Sequence, residues 1–80
     1  DLNSASKHTQ AALRIFGQKR TYLSLLLSHQ LLDMVTVSFD RTIRTAENED
    51  LAEFMTESAE LKTRISLLPE SENLSFSNLF

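Results

Sequence analysis

Gly17 and Pro69 are the only glycine and the only proline in 80 residues, and that scarcity limits the folds open to the chain. Average usage would place about ten of the two in a chain this long. Sandwiches and barrels need turn residues every few positions, so a few long helices remain. Hydrophobic residues make up 41% of the chain, enough to drive burial and to argue against global disorder. The absence of cysteine removes disulfides and thiolate metal sites. The expected fold is all-α: an antiparallel helical hairpin with a long first helix and a shorter second one, or a three-helix bundle if the chain breaks at Gly17. Residues 1–68 form this hairpin or bundle, and residues 69–80 form a tail, extended or partly disordered.

Local signals set the expected boundaries. Asn3 or Ser4 can cap the first helix by accepting a hydrogen bond from an orphan N–H. No proline interrupts the chain from there to about Thr45, and Gly17 is the weak point, at about 1 kcal/mol relative to alanine. Asn48 is a candidate cap for the second helix, with Glu49, Asp50 and Glu53 placing negative charge at its N-terminal end. Leu51, Phe54, Ser58, Leu61, Ile65 and Leu68 follow a 3–4 spacing and form its apolar seam. Lys62 and Arg64 complement the C-terminal end of the dipole, and Pro69 stops the helix.

The first helix carries two apolar stripes at 100° per residue. One holds Ala12, Phe16, Leu23, Leu27, Leu31 and Met34; the other holds Leu25, Leu32, Phe39 and Ile43. Two stripes imply two neighbours. A helix of about 42 residues would be about 60 Å long and its partner about 30 Å, which leaves the segment before Leu25 uncovered. Leu74, Phe76, Leu79 and Phe80 of the tail can strap that segment, or Leu74, Phe76 and Phe80 can act as a docking motif, with Ser71, Ser75 and Ser77 as phosphorylation sites that tune it.

Charge divides the chain as well. Residues 2–32 hold four basic residues and no acidic one, a formal +4; residues 33–80 hold ten acidic against four basic residues, a formal −6. A basic end and an acidic end favour complementary association. The expected function is therefore a non-enzymatic helical module for protein–protein interaction and assembly. It self-associates or docks a helical partner through the second stripe. The expected interface is Phe16, Leu23, Leu25, Leu32, Phe39 and Ile43, with Arg14, Lys19 and Arg20 steering the encounter and setting register. On that reading, Leu32→Asp with Phe39→Asp would dissolve the assembly and leave helix content intact. The alternative is a monomeric three-helix regulator or chaperone-like adaptor that captures a peptide or helix in a groove.

Chemistry finds little support. His29 and Asp33, one helical turn apart, can supply two metal ligands, but no third is near, so a local hydrogen-bonded pair is the simpler reading. Glu53, Glu57 and Glu60 read as a solvated face. There is no nucleophile motif, phosphate loop or dinucleotide fingerprint, so neither catalysis nor a cofactor is expected. The pI of about 5.2 argues against a nucleic-acid partner. The most apolar stretch, residues 23–39, is interrupted by His29, Gln30 and Asp33, which argues against a membrane partner. The chain opens on Asp1 rather than Met, as a processed product or an excised piece would, and without a leader signal an intracellular location is the default.

Overall fold

The computed structural model describes residues 1–77. They form four helices: α1 (Leu2–Ser24), α2 (His29–Glu47), α3 (Leu51–Ile65) and α4 (Glu70–Ser77). The all-α class stands, but the turns fall elsewhere than the sequence signals suggest. Asp1, not Asn3 or Ser4, caps α1: its carboxylate accepts from the Ser4 N–H at 2.7 Å. Gly17 lies inside α1, exposed, and does not break it.

The expected helix to about Thr45 ends instead at Ser24. The Leu26 and Leu27 N–H groups both donate to the Leu23 carbonyl, at 3.0 and 2.9 Å, which closes the last turn of α1. Ser28 is extended (φ −69°, ψ 150°), and its hydroxyl accepts from the Leu31 N–H at 3.1 Å, which starts α2. A serine cap thus reverses the chain without glycine or proline. The body spans 36 × 20 × 17 Å, far shorter than a rod of about 60 Å.

The turn after α2 is a Schellman motif. Asp50 N–H donates to the Thr45 carbonyl (3.0 Å) and Glu49 N–H to the Ala46 carbonyl (3.1 Å). Glu49 occupies the left-handed position with φ 56°. The cap of α3 is then Asp50 rather than Asn48, with its carboxylate 3.1 Å from the Glu53 N–H. After Pro69 the chain is helical from Glu70 to Ser77, not extended as expected for the tail. Leu79 and Phe80 lie outside the described residues.

Short connections make α1, α2 and α3 successively antiparallel. α2 is central: α1 and α3 both pack on it and hardly on each other. The core combines Ala12, Phe16 and Leu23 of α1, Leu32, Val35 and Phe39 of α2, Leu61 and Ile65 of α3, then Leu68 and Phe76. Three rings meet at its centre, with centroids 5.7 Å apart for Phe16–Phe39, 6.1 Å for Phe16–Phe76 and 6.5 Å for Phe39–Phe76. These separations suit edge-to-face and tilted aromatic attraction. Two arginines tie the flanks to the centre. Arg20 of α1 donates to Asp33 (2.6 Å) and Thr36 (3.0 Å) of α2. Arg64 of α3 donates to the Ser38 hydroxyl of α2 and pairs with Glu60 at 2.6 Å.

Candidate functional site

Because α1 and α3 flank α2 without closing on each other, a trough runs between them above α2. α4 fills one part of it. Phe76 reaches down to Phe16 and Phe39, and the Glu72 carboxylate meets Lys19 Nζ of α1 at 2.8 Å. The remainder is a cleft of about 490 Å³ between Ala5, His8 and Thr9 of α1 and Phe54, Ser58 and Lys62 of α3. Residues 5, 12 and 19 recur every seven positions and so share one side of α1. Ala5 lines the cleft, Ala12 lies in the core and Lys19 holds α4, so the seat of α4 and the cleft lie along the same side of α1.

The seam of α3 shows how the sequence builds it. Leu61, Ile65 and Leu68 are buried, Phe54 and Ser58 are half-buried, and Leu51 is exposed. The seam therefore contributes to the core only in its C-terminal half. Ser58, the one polar member, marks where burial gives out. On α1 the small side chains of Ala5 and Thr9 keep the opposite wall low. The flanks differ in charge: Lys7 and Arg14 are exposed on α1, Glu53 is exposed on α3, and Glu57 beside it is half-buried. One oxygen of Glu57 is shielded from water without a hydrogen-bond partner among the described residues.

The residues expected at an interface scatter. Phe16, Leu23, Leu32 and Phe39 are 0–1% exposed and belong to the core. Leu32 and Phe39 are half of the second stripe, so that stripe is not a surface in this fold. The Ser28 turn folds α1 onto α2 and uses those residues for intramolecular packing. Ile43 is half-buried, Arg14 is exposed, and Leu25 stands 80% exposed at the turn. Lys19 and Arg20, expected to steer a partner, are engaged within the chain by Glu72 and Asp33. In α4, Phe76 is buried and Leu74 is exposed; Phe80 is outside the described residues.

His29 is exposed, and Asp33 pairs with Arg20. No three His, Asp or Glu among the described residues are grouped to hold a metal ion. No described helix is long and apolar enough to cross a membrane. Sequence reasoning missed Ala5, Thr9, Phe54, Ser58 and Glu72 as site residues. Two signals point to them: a polar residue within the α3 seam, and an acid four positions before an aromatic (Glu72, Phe76) just past Pro69.

No curated protein and no solved structure matches the chain. A family model described as "Domain of unknown function (DUF4363)" matches residues 1–79. With nearly its whole length covered by that match, the chain belongs to the DUF4363 family.

Proposed function

We propose that the chain is a non-enzymatic helical module for protein–protein interaction and assembly, and that it works by receiving a helical segment in the trough between α1 and α3. One observation carries this: the cleft and the seat of α4 lie along the same side of α1, and a helix of the same chain already occupies that seat while the cleft is uncovered by described residues. Grooves of this kind take an amphipathic helix by its apolar face. The groove-binding mode replaces the second stripe as the docking surface, because Leu32 and Phe39 are core residues. A photoactivatable cross-linker at Ser58 in the trough, compared with one at Gln18, tests the proposal in extracts of the source cells. A defined adduct at Ser58 and not at Gln18 is the expected result. The same adducts at both positions, or none at Ser58, would overturn it.

A second mode, self-association, is favoured by the charge layout. Lys7 and Arg14 are exposed on one flank, and Glu53 is exposed on the opposite flank beside exposed Leu51 and Met55. Copies meeting flank to flank would make a heterologous, head-to-tail contact. Light scattering across protein concentration and salt measures it: a mass that rises with concentration and falls with salt supports it, and a constant monomer mass rejects it.

A further inference from the structure

The trough reading leaves open what kind of helix fits, and α4 supplies an answer. We infer that α4 is a displaceable plug. Its seat is the docking site for a partner helix that carries a carboxylate four residues before an aromatic side chain, as Glu72 and Phe76 do. This inference rests on the trough reading and specifies its ligand.

Three observations support it. First, α4 has eight residues, and isolated helices below about 12–15 residues are marginal in water. Tertiary contact must hold it, and that contact comes from one face: Phe76 in the core, Glu72 on Lys19, and the Asn73 amide donating to the Leu68 carbonyl at 3.2 Å. Phe76 is 1% exposed, but Ser71 and Ser75 are exposed and Leu74 is 57% exposed. Among the described residues it makes one ion pair, Lys19–Glu72, 36% exposed on the lysine side and 13% on the glutamate side. A short peripheral helix held by one face opens at lower free energy than the central helices around it.

Second, the seat is chemically specific. The Phe16 and Phe39 rings form a floor that takes an aromatic group edge-on. Lys19, one turn from Phe16 along α1, takes a carboxylate at 2.8 Å. An acid and an aromatic at i and i+4 on one helix face satisfy both together.

Third, α4 is shorter than the trough. Eight residues make about 12 Å of helix, whereas α1 from Ala5 to Lys19 offers about 21 Å. A longer partner helix with the same acid–aromatic pair would cover the Phe54–Ser58 cleft as well as the α4 seat. It would thereby gain contacts that α4 does not make. The tethered α4 competes at an effective concentration in the millimolar range, so an untethered copy of α4 alone should fail against the intact chain.

The test uses the full chain labelled with 15N and a synthetic peptide of residues 66–80 added to millimolar concentration. In Phe76→Ala, the expected result is saturable shifts at the amides of Phe16, Lys19 and Phe39, with apparent affinity at least tenfold tighter than in the unsubstituted chain. Adding Lys19→Glu should abolish them, and a Glu72→Lys peptide should restore them. A folded Phe76→Ala chain without such shifts would overturn the proposal. Should Phe76→Ala fail to fold, amide exchange of the unsubstituted chain decides. Exchange in α4 at least a hundredfold faster than in α2 supports a plug, and equal protection rejects it. Light scattering on the same samples reveals exchange of α4 between two copies; a doubled mass would overturn the foreign-partner form. A Ser58 adduct in the cross-linking experiment, together with no peptide shifts here, would preserve the trough and reject only the plug.

Discussion

Arg20 of α1 reaches Asp33 of α2 at 2.6 Å, and the same guanidinium also donates to the Thr36 hydroxyl at 3.0 Å. It thereby fixes the angle at which the chain re-enters after the Ser28 turn. The two ends of this contact are unequal. Asp33 is 68% exposed in its side chain and Arg20 34%, so solvent screens the ionic part. The bond to Thr36, which is half-buried, is the better sheltered one. Arg20→Met is therefore expected to cost about 1 kcal/mol, against roughly 0.3 kcal/mol for Asp33→Asn. Thermal unfolding of both variants measures the difference, with about 4–8 °C per kcal/mol in a domain of this size. Equal losses would mean that the ion pair, not the Thr36 bond, dominates.

Gly17 lies in the interior of α1 on an exposed face, and a Cβ added there meets no atom within 4 Å. No turn, close approach or positive φ requires glycine at this position. Gly17→Ala should therefore stabilise the isolated chain by up to about 1 kcal/mol through helix propensity and a less flexible unfolded state. Calorimetry on the dilute monomer reads this as a rise in Tm. If the gain appears there but association weakens in concentrated samples, the glycine face is a contact between copies.

The class of fold was legible because composition alone excludes most alternatives. The apolar spacing of α3 also located Leu61, Ile65 and Leu68 in the core. The turn between α1 and α2 was hidden because it uses neither breaker. Ser28 is one hydroxyl in a leucine-rich run, and at 100° per residue the periodicity passes through residues 24–29 without interruption. Without that turn, Leu32 and Phe39 fall on a stripe that needs a partner. The candidate site was harder still. A trough between α1 and α3 depends on both helices choosing the same central neighbour, and no local pattern encodes that. The role of Phe76 was half visible: its burial fits a strap, but the helix that carries it has little amphipathic signal to announce it.

Glu49 is a further place where sequence and conformation disagree. The Schellman turn requires its φ of 56°, a region that costs a residue with a Cβ about 1–2 kcal/mol. Its negative charge sits between the carboxyl end of α2, which disfavours it, and the amino end of α3, which favours it, so the two dipole effects oppose each other. Glu49→Gly removes the backbone penalty at some cost in unfolded-state entropy, so a net gain of about 0.5–1 kcal/mol is expected. Denaturant midpoints at constant slope would show it. An unchanged or lower midpoint would mean that the Glu49 side chain makes a compensating attraction.

The burial of Leu32 and Phe39 reverses what a two-stripe rod implies for their substitution. On an interface, Leu32→Asp with Phe39→Asp would separate copies and spare the helices. Here each side chain is 0% exposed, and Phe39 packs against both Phe16 and Phe76. Each change removes about 1.5–3 kcal/mol of apolar burial and places a carboxylate in the packed core, at several kcal/mol more. The pair together is about as large as the roughly 5–15 kcal/mol that holds a domain folded. Circular dichroism should therefore show loss of most helical signal at neutral pH. Leu25→Asp with Leu67→Asp is the matched control: these leucines are 80% and 58% exposed, so helix content should persist and stability should change by less than about 0.5 kcal/mol. Retained helicity in the Leu32 and Phe39 double variant would require a core built on other residues, and the trough between α1 and α3 would go with it.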